Sequence, residues 1–114
     1  MEQKKHLHIL WTNGDPVTGE HMVLMYATNC MIRGWWDKVT VVLWGAPAQL
    51  VVEHLDVRER VEMAQHAGVE FSACIACANR LGTTGALEAM GIEVKGWGEP
   101  LTQLLQENQP LLSI

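Results

Sequence analysis

Val69-Glu70-Phe71-Ser72-Ala73-Cys74-Ile75-Ala76-Cys77 decides how this chain is read, because there an apolar strand gives way to a helix at a pair of cysteines. Val69 to Ala73 has the β-branched and aromatic content of a strand, and Cys74 stands at its carboxyl end. In an α/β protein that junction presents a reactive side chain. At helical spacing Cys74 and Cys77 fall on one face about one turn apart. Such a pair can share a disulfide, a metal or a transferred sulfur atom.

Upstream, His6 to Thr12 reads as a first strand, closed by the turn dipeptides Asn13-Gly14 and Asp15-Pro16. Val17 to Arg33 is helical, and Gly34 supplies its stop. Val39 to Trp44 is a continuous β-branched and aromatic run, the pattern of a strand buried on both faces of a parallel sheet. Pro47 suits the first turn of a helix reaching about His54. Asp56-Val57-Arg58-Glu59 is an acidic capping-box pattern that starts a second helix ending at Gly68. Downstream of the cysteines, Thr84 to Met90 is a short helix stopped by Gly91, and Ile92 to Lys95 a fourth strand. Pro100 to Glu107 forms a last helix, and Leu111 to Ile114 an edge strand after Pro110.

This alternation predicts one α/β domain over residues 1–114, a mostly parallel five-stranded sheet covered on both faces with right-handed crossovers. Ligands of such sheets bind beyond the carboxyl ends of the strands. Three loops are expected to meet there: Thr12 to Gly19, Gly45 to Pro47, and Ala73 to Gly82. Cys74 is therefore predicted to face that crevice.

With 114 residues, 48% of them apolar and 18% charged, the chain is long enough for one unstapled core, and disorder is excluded. A formal charge of -5, with basic residues scattered apart from Lys4-Lys5, excludes a nucleic-acid surface. Three cysteines do not make the even framework of a secreted scaffold, so a reducing cytoplasm is the expected home. His6, His8 and Thr12 interrupt the apolar stretch after Lys5, which is too short for a signal or membrane segment; no membrane partner is expected.

The first helix carries a second message. Met22, Tyr26, Cys30 and Arg33 mark one stripe, yet Val23, Leu24, Met25, Ala27, Met31 and Ile32 leave little polar circumference. A helix apolar nearly all round is buried on more than one side, and in so small a chain the second side is most simply another subunit. Trp35 and Trp36 add area of the kind interfaces favour. The competing reading is a crowded monomer core.

Other motifs point away from common chemistries. A structural zinc site needs four ligands, and one CxxC with histidines lacking an H-x3-5-H pattern does not supply them, so no metal is expected. His6 and His8 do share one strand face by alternation. A thioredoxin-like site is disfavoured, because the motif follows the third strand. Gly14 to Gly19 has phosphate-loop spacing, but Glu20-His21 replaces the Lys-Ser/Thr pair; Gly96-Trp97-Gly98 lacks a third glycine and reads as a turn. No cofactor is expected. Asp15 and His21 border the crevice and can assist a thiol, though a cap and a surface residue are their ordinary roles. Trp11, Trp44 and Trp97 are candidates to line the crevice, with core packing the expectation for at least two of them. Cys30 is read as core.

Taken together, the Asn13-Gly14-Asp15 turn, Trp44-Gly45-Ala46-Pro47, Gly68-Val69-Glu70, Cys74-x-x-Cys77-x-x-Arg80-x-Gly82 and Gly91-Ile92-Glu93-Val94 resemble the DsrE/DsrF-like family of small sulfur-relay proteins. The resemblance spans nearly the whole chain, and the cysteine-to-glycine spacing is its most specific element. It implies a flavodoxin-like, three-layer α/β/α subunit in homo-trimers or homo-hexamers, and a sulfurtransferase role as a persulfide carrier. Cys74 is then the thiol that accepts a sulfane sulfur and passes it to a partner protein, with Cys77 auxiliary. Asn13, Gly14, Asp15, His21 and Arg80 are the candidate substrate-binding residues around it. Two alternatives stay open: a non-enzymatic oligomeric module that binds or responds to a small ligand, and a redox-responsive Cys74-Cys77 dithiol.

Overall fold

The computed structural model describes residues 5–114, so Lys4 of the basic pair lies outside the described residues. Strands β1 (His6–Trp11), β2 (Lys38–Leu43), β3 (Glu70–Cys74), β4 (Glu93–Lys95) and β5 (Leu111–Ser113) form one sheet in the order β4-β3-β2-β1-β5. Every neighbouring pair is parallel, so the expected mostly parallel sheet is wholly parallel.

Between β1 and β2 lie α1 (Pro16–Thr18), a π-helical stretch (Gly19–Leu24) and α2 (Met25–Ile32), running on as one rod. Next come α3 (Pro47–Glu53) and α4 (Leu55–His66), then α5 (Ile75–Leu81) and α6 (Thr84–Ala89), and finally α7 (Gly98–Gln106). The chain steps from β1 to β4 in one direction across the sheet, so right-handed crossovers place α1 to α6 on a single face. Its return from β4 to β5, at the far edge, puts α7 alone on the other. The result is a three-layer α/β fold with unequal outer layers.

Strand alternation sorts the side chains accordingly. Leu7, Ile9, Trp11, Val39, Val41, Leu43, Phe71 and Ala73 point beneath the first helical layer and join Val23, Leu24, Val51, Val57, Val61 and Leu87 in the main core. Cys30 is fully buried among them. On the opposite face stand His6, His8 and Leu10, Lys38, Thr40 and Val42, and Glu70, Ser72 and Cys74. Apolar cover is confined to their carboxyl ends, where Val42, Cys74 and Trp97 form a second, small cluster packed by Leu10, Trp44, Cys77 and Leu104; Thr40 and Ser72 are buried polar residues below it.

Several boundaries differ from the sequence expectation for physical reasons. The second helix of the β2–β3 crossover begins one residue before Asp56, because His54, not the acidic residue, caps it: its Nδ1 accepts from the Val57 N–H at 3.3 Å. The first helix contains a π-helical turn where Gly19 passes the Trp11 ring. Gly96-Trp97-Gly98, expected to be a turn, is the N-terminus of α7, with Trp97 at its N-cap.

Candidate functional site

Cys74 ends β3 and is the N-cap residue of α5, with φ -68° and ψ 121°, so the strand turns into the helix at this residue. Cys77 follows one turn on and packs against the small cluster that contains Cys74. All three cysteines are free thiols. Burial pushes the Cys77 thiol up; the nearby Gly45 backbone pulls it down, and the adjoining Cys74 side chain pushes it up again. Cys77 is half-buried, whereas Cys74 is only 6% exposed. The sequence expectation was that Cys74 faces the crevice beyond the strand ends; at that end of β3, alternation turns its side chain to the α7 side, where Trp97 lies over the sheet.

The loops beyond the strand ends do converge. A Cβ on Gly14 would stand 2.8 Å from the Ala46 Cβ, so the β1 and β2 loops meet too closely for any side chain at position 14. The Trp44 N–H donates to the Trp11 carbonyl at 3.1 Å, and the Gly45 backbone lies near enough to Cys77 to lower its pKa. Asn13 and Asp15 spend their side chains within the first loop. Asn13 Oδ1 accepts from the Asp15 N–H at 2.7 Å, and Asp15 Oδ2 accepts from Thr18 N and Oγ1 at 3.2 and 3.0 Å. Asp15 is thus the cap of α1. His21 is exposed on the π-helical stretch. Arg80 is exposed in the last turn of α5, about 9 Å of helix rise from Cys74, and is not gathered with the thiols. Trp11 belongs to the main core, while Trp44 and Trp97 pack around Cys74.

A second concavity was not foreseen. The amino-terminal half of the uncovered sheet face forms a groove of about 570 Å³ whose walls include His6, His8, Thr40, Ser72, Lys95 and Trp97. The His6 and His8 rings stack with centroids 4.0 Å apart, and His6 Nε2 is 2.7 Å from Thr40 Oγ1. Burial, reinforced by His6, Lys38 and Lys95, lowers the His8 pKa to about 4, and its Nδ1 is buried without a partner among the described residues. Both imidazoles are therefore neutral near pH 7. Lys38–Glu70 at 3.0 Å and Lys95–Glu93 at 3.5 Å frame the groove with paired charges. The His6/His8 alternation was the one visible signal; the other walls come from strands far apart in sequence. Among the described residues no group of three or more His, Cys, Asp or Glu is placed to hold a metal, and no helix is long and apolar enough to cross a membrane.

No protein-family model matches the chain, and no curated protein is similar to it. Among solved structures, a conserved protein of unknown function, BT1422 from Bacteroides thetaiotaomicron, is 35% identical to it. The match covers 96% of this chain and 94% of that one, with a TM-score of 0.92. Identity of that size over nearly the full length of both, together with one shared fold, means that this chain belongs to the same family as that conserved protein.

Proposed function

We propose that this protein is a sulfur-relay carrier of the DsrE/DsrF-like kind, accepting a sulfane sulfur as a persulfide on Cys74 and handing it to a partner protein. The observation that supports this best is the dithiol itself: two free, adjoining cysteines where a strand end becomes a helix, beside two converging loops. The Cys74 thiolate attacks the terminal sulfur of a donor persulfide, R–S–SH; one S–S bond forms as the donor's breaks, and R–S⁻ leaves to take up a proton. An acceptor thiolate then removes that sulfur by the same exchange. Alternatively the Cys77 thiolate attacks the inner sulfur, leaving a Cys74–Cys77 disulfide and releasing hydrosulfide. Homo-oligomer assembly, as a trimer or hexamer, belongs to the same proposal. It is supported by Met25, Ile32 and Met63, which line a shallow concavity between α2 and α4 and remain exposed.

Intact-protein mass spectrometry after exposure of reduced protein to a sulfane-sulfur donor tests the reading. Addition of one sulfur to the native protein and to Cys77→Ser, but not to Cys74→Ser, is the expected result. Full uptake by Cys74→Ser refutes the assignment. A second reading, a small-ligand-binding module, is favoured by the polar groove, and it predicts that replacing both cysteines leaves folding and assembly unchanged.

A further inference from the structure

Trp97 is 4% exposed, stands between Gly96 and Gly98, and is fixed by groups that adjoin Cys74. Its indole N–H donates to the Ser72 hydroxyl at 2.8 Å, and Ser72 donates onward to Glu93 at 3.0 Å. Ser72 lies two residues before Cys74 on the same face of β3, and Lys95, whose ammonium is 4.9 Å from the indole centroid, is the β4 register partner of Cys74. His8 meets the ring edge-on, with centroids 6.1 Å apart. The indole also shares the small buried cluster with Cys74 and Val42.

Behind Trp97 the attachment is thin. Helix α7 buries none of its own residues fully and reaches the cluster through half-buried Leu104. A segment with so few buried apolar contacts opens locally at a fraction of the global unfolding free energy. The flanking glycines allow the backbone change such opening requires.

Resting on the sulfur-relay reading, we propose that Trp97 is the gate of Cys74. Closed on Ser72, the indole shields the thiol; when the start of α7 swings away, a donor or acceptor sulfur reaches it. Trp97 touches no reacting atom in this scheme, so it governs access and leaves the exchange chemistry itself unchanged.

The test is the rate at which a small neutral alkylating reagent, iodoacetamide, modifies Cys74 in a Cys77→Ser background, read peptide by peptide. Rates are compared on the high-pH plateau, where the thiol is ionised and only access differs. Ser72→Ala keeps the indole but removes its anchor, and is expected to raise the Cys74 rate about fivefold, the worth of one hydrogen bond. Trp97→Ala is expected to raise it further, and in every variant Cys74 is expected to react well ahead of buried Cys30, which only global unfolding exposes. Unchanged Cys74 rates in both overturn the gate, as does a native Cys74 rate no faster than that of Cys30, which means that the thiol is reached only by global unfolding. Sulfur uptake is scored separately on the same proteins. Altered alkylation without uptake refutes the relay and leaves the gate standing; normal uptake with unaltered alkylation does the reverse.

Discussion

The two faces of the sheet carry different loads. Under α1 to α6, Ile9, Trp11, Val39, Val41 and Leu43 are fully buried in one continuous apolar core. Under α7, a cluster of three buried residues gives way along the same strands to histidines, lysines and glutamates facing a groove. Stability is concentrated on the first face, and both candidate sites lie on the second. A surface that must admit ligand or exchange sulfur cannot also be sealed, and only the thinly covered side leaves room for either.

Two buried tryptophans, one per face, measure that contrast. Trp11→Ala removes an indole wholly enclosed by core side chains and should cost about 3–5 kcal/mol in chemical denaturation. Trp97→Ala should cost about half as much, because water can enter from the groove and α7 can settle into the space. Equal losses would mean that α7 is as integral as the helices opposite, and the gate would lose its physical basis.

Gly19→Ala sharpens the description of the core side. A Cβ there would stand 2.7 Å from Cζ2 of Trp11, a ring with no freedom to retreat. Overpacking of this kind should destabilise the protein by about 1–3 kcal/mol with the unfolding slope unchanged. A neutral result would mean that the π-helical turn relaxes to accommodate the methyl.

The sequence made the first face legible and the second only in fragments. Val39 to Trp44 is apolar at every position but Thr40, itself β-branched, so its burial on a parallel sheet could be read directly. The strand–helix junction at Cys74 was equally plain, and the chain does turn into α5 there. His54 was overlooked as a cap because imidazole is an uncommon N-cap group and the acidic pattern beside it was the stronger signal. Trp97 looked like part of a glycine turn because nothing local shows that the β4–α7 connection folds back over β3. Tertiary register, in which Ser72 meets Glu93 and Cys74 meets Lys95, creates both the cover and the groove. Residues more than twenty positions apart carry no periodicity that joins them.

The groove side also predicts a pH response. The His8 pKa falls from 6.5 to about 4 in the folded protein, chiefly through burial, and that of His6 is lowered as well. The unfolded chain therefore takes up protons first as pH drops, so stability is full above pH 6.5 and declines as pH falls toward about 4. Denaturant midpoints between pH 6.5 and 5, where most carboxylates stay ionised, should fall with pH in the native protein and less steeply in His8→Gln. An identical slope would show that the His8 ring is solvated and the groove wetter than its geometry implies.

The smallest effect is the most direct gauge of how wet that face is. Lys38 and Glu70 approach to 3.0 Å, but their side chains are 50% and 57% exposed, so solvent screens the attraction while ordering two flexible chains opposes it. A double-mutant cycle with Lys38→Ala and Glu70→Ala should give a coupling below about 0.5 kcal/mol, shrinking further as salt is raised. The two residues form the groove's rim beside His6, and the same Lys38 charge contributes to lowering the His6 and His8 pKa values. A coupling several times larger and indifferent to salt would place the rim in a low-dielectric setting, closed over by something more than α7. In that case the contrast between the two faces would belong to the isolated subunit alone, and a second copy of the chain lying against the open face would become the first structure to seek.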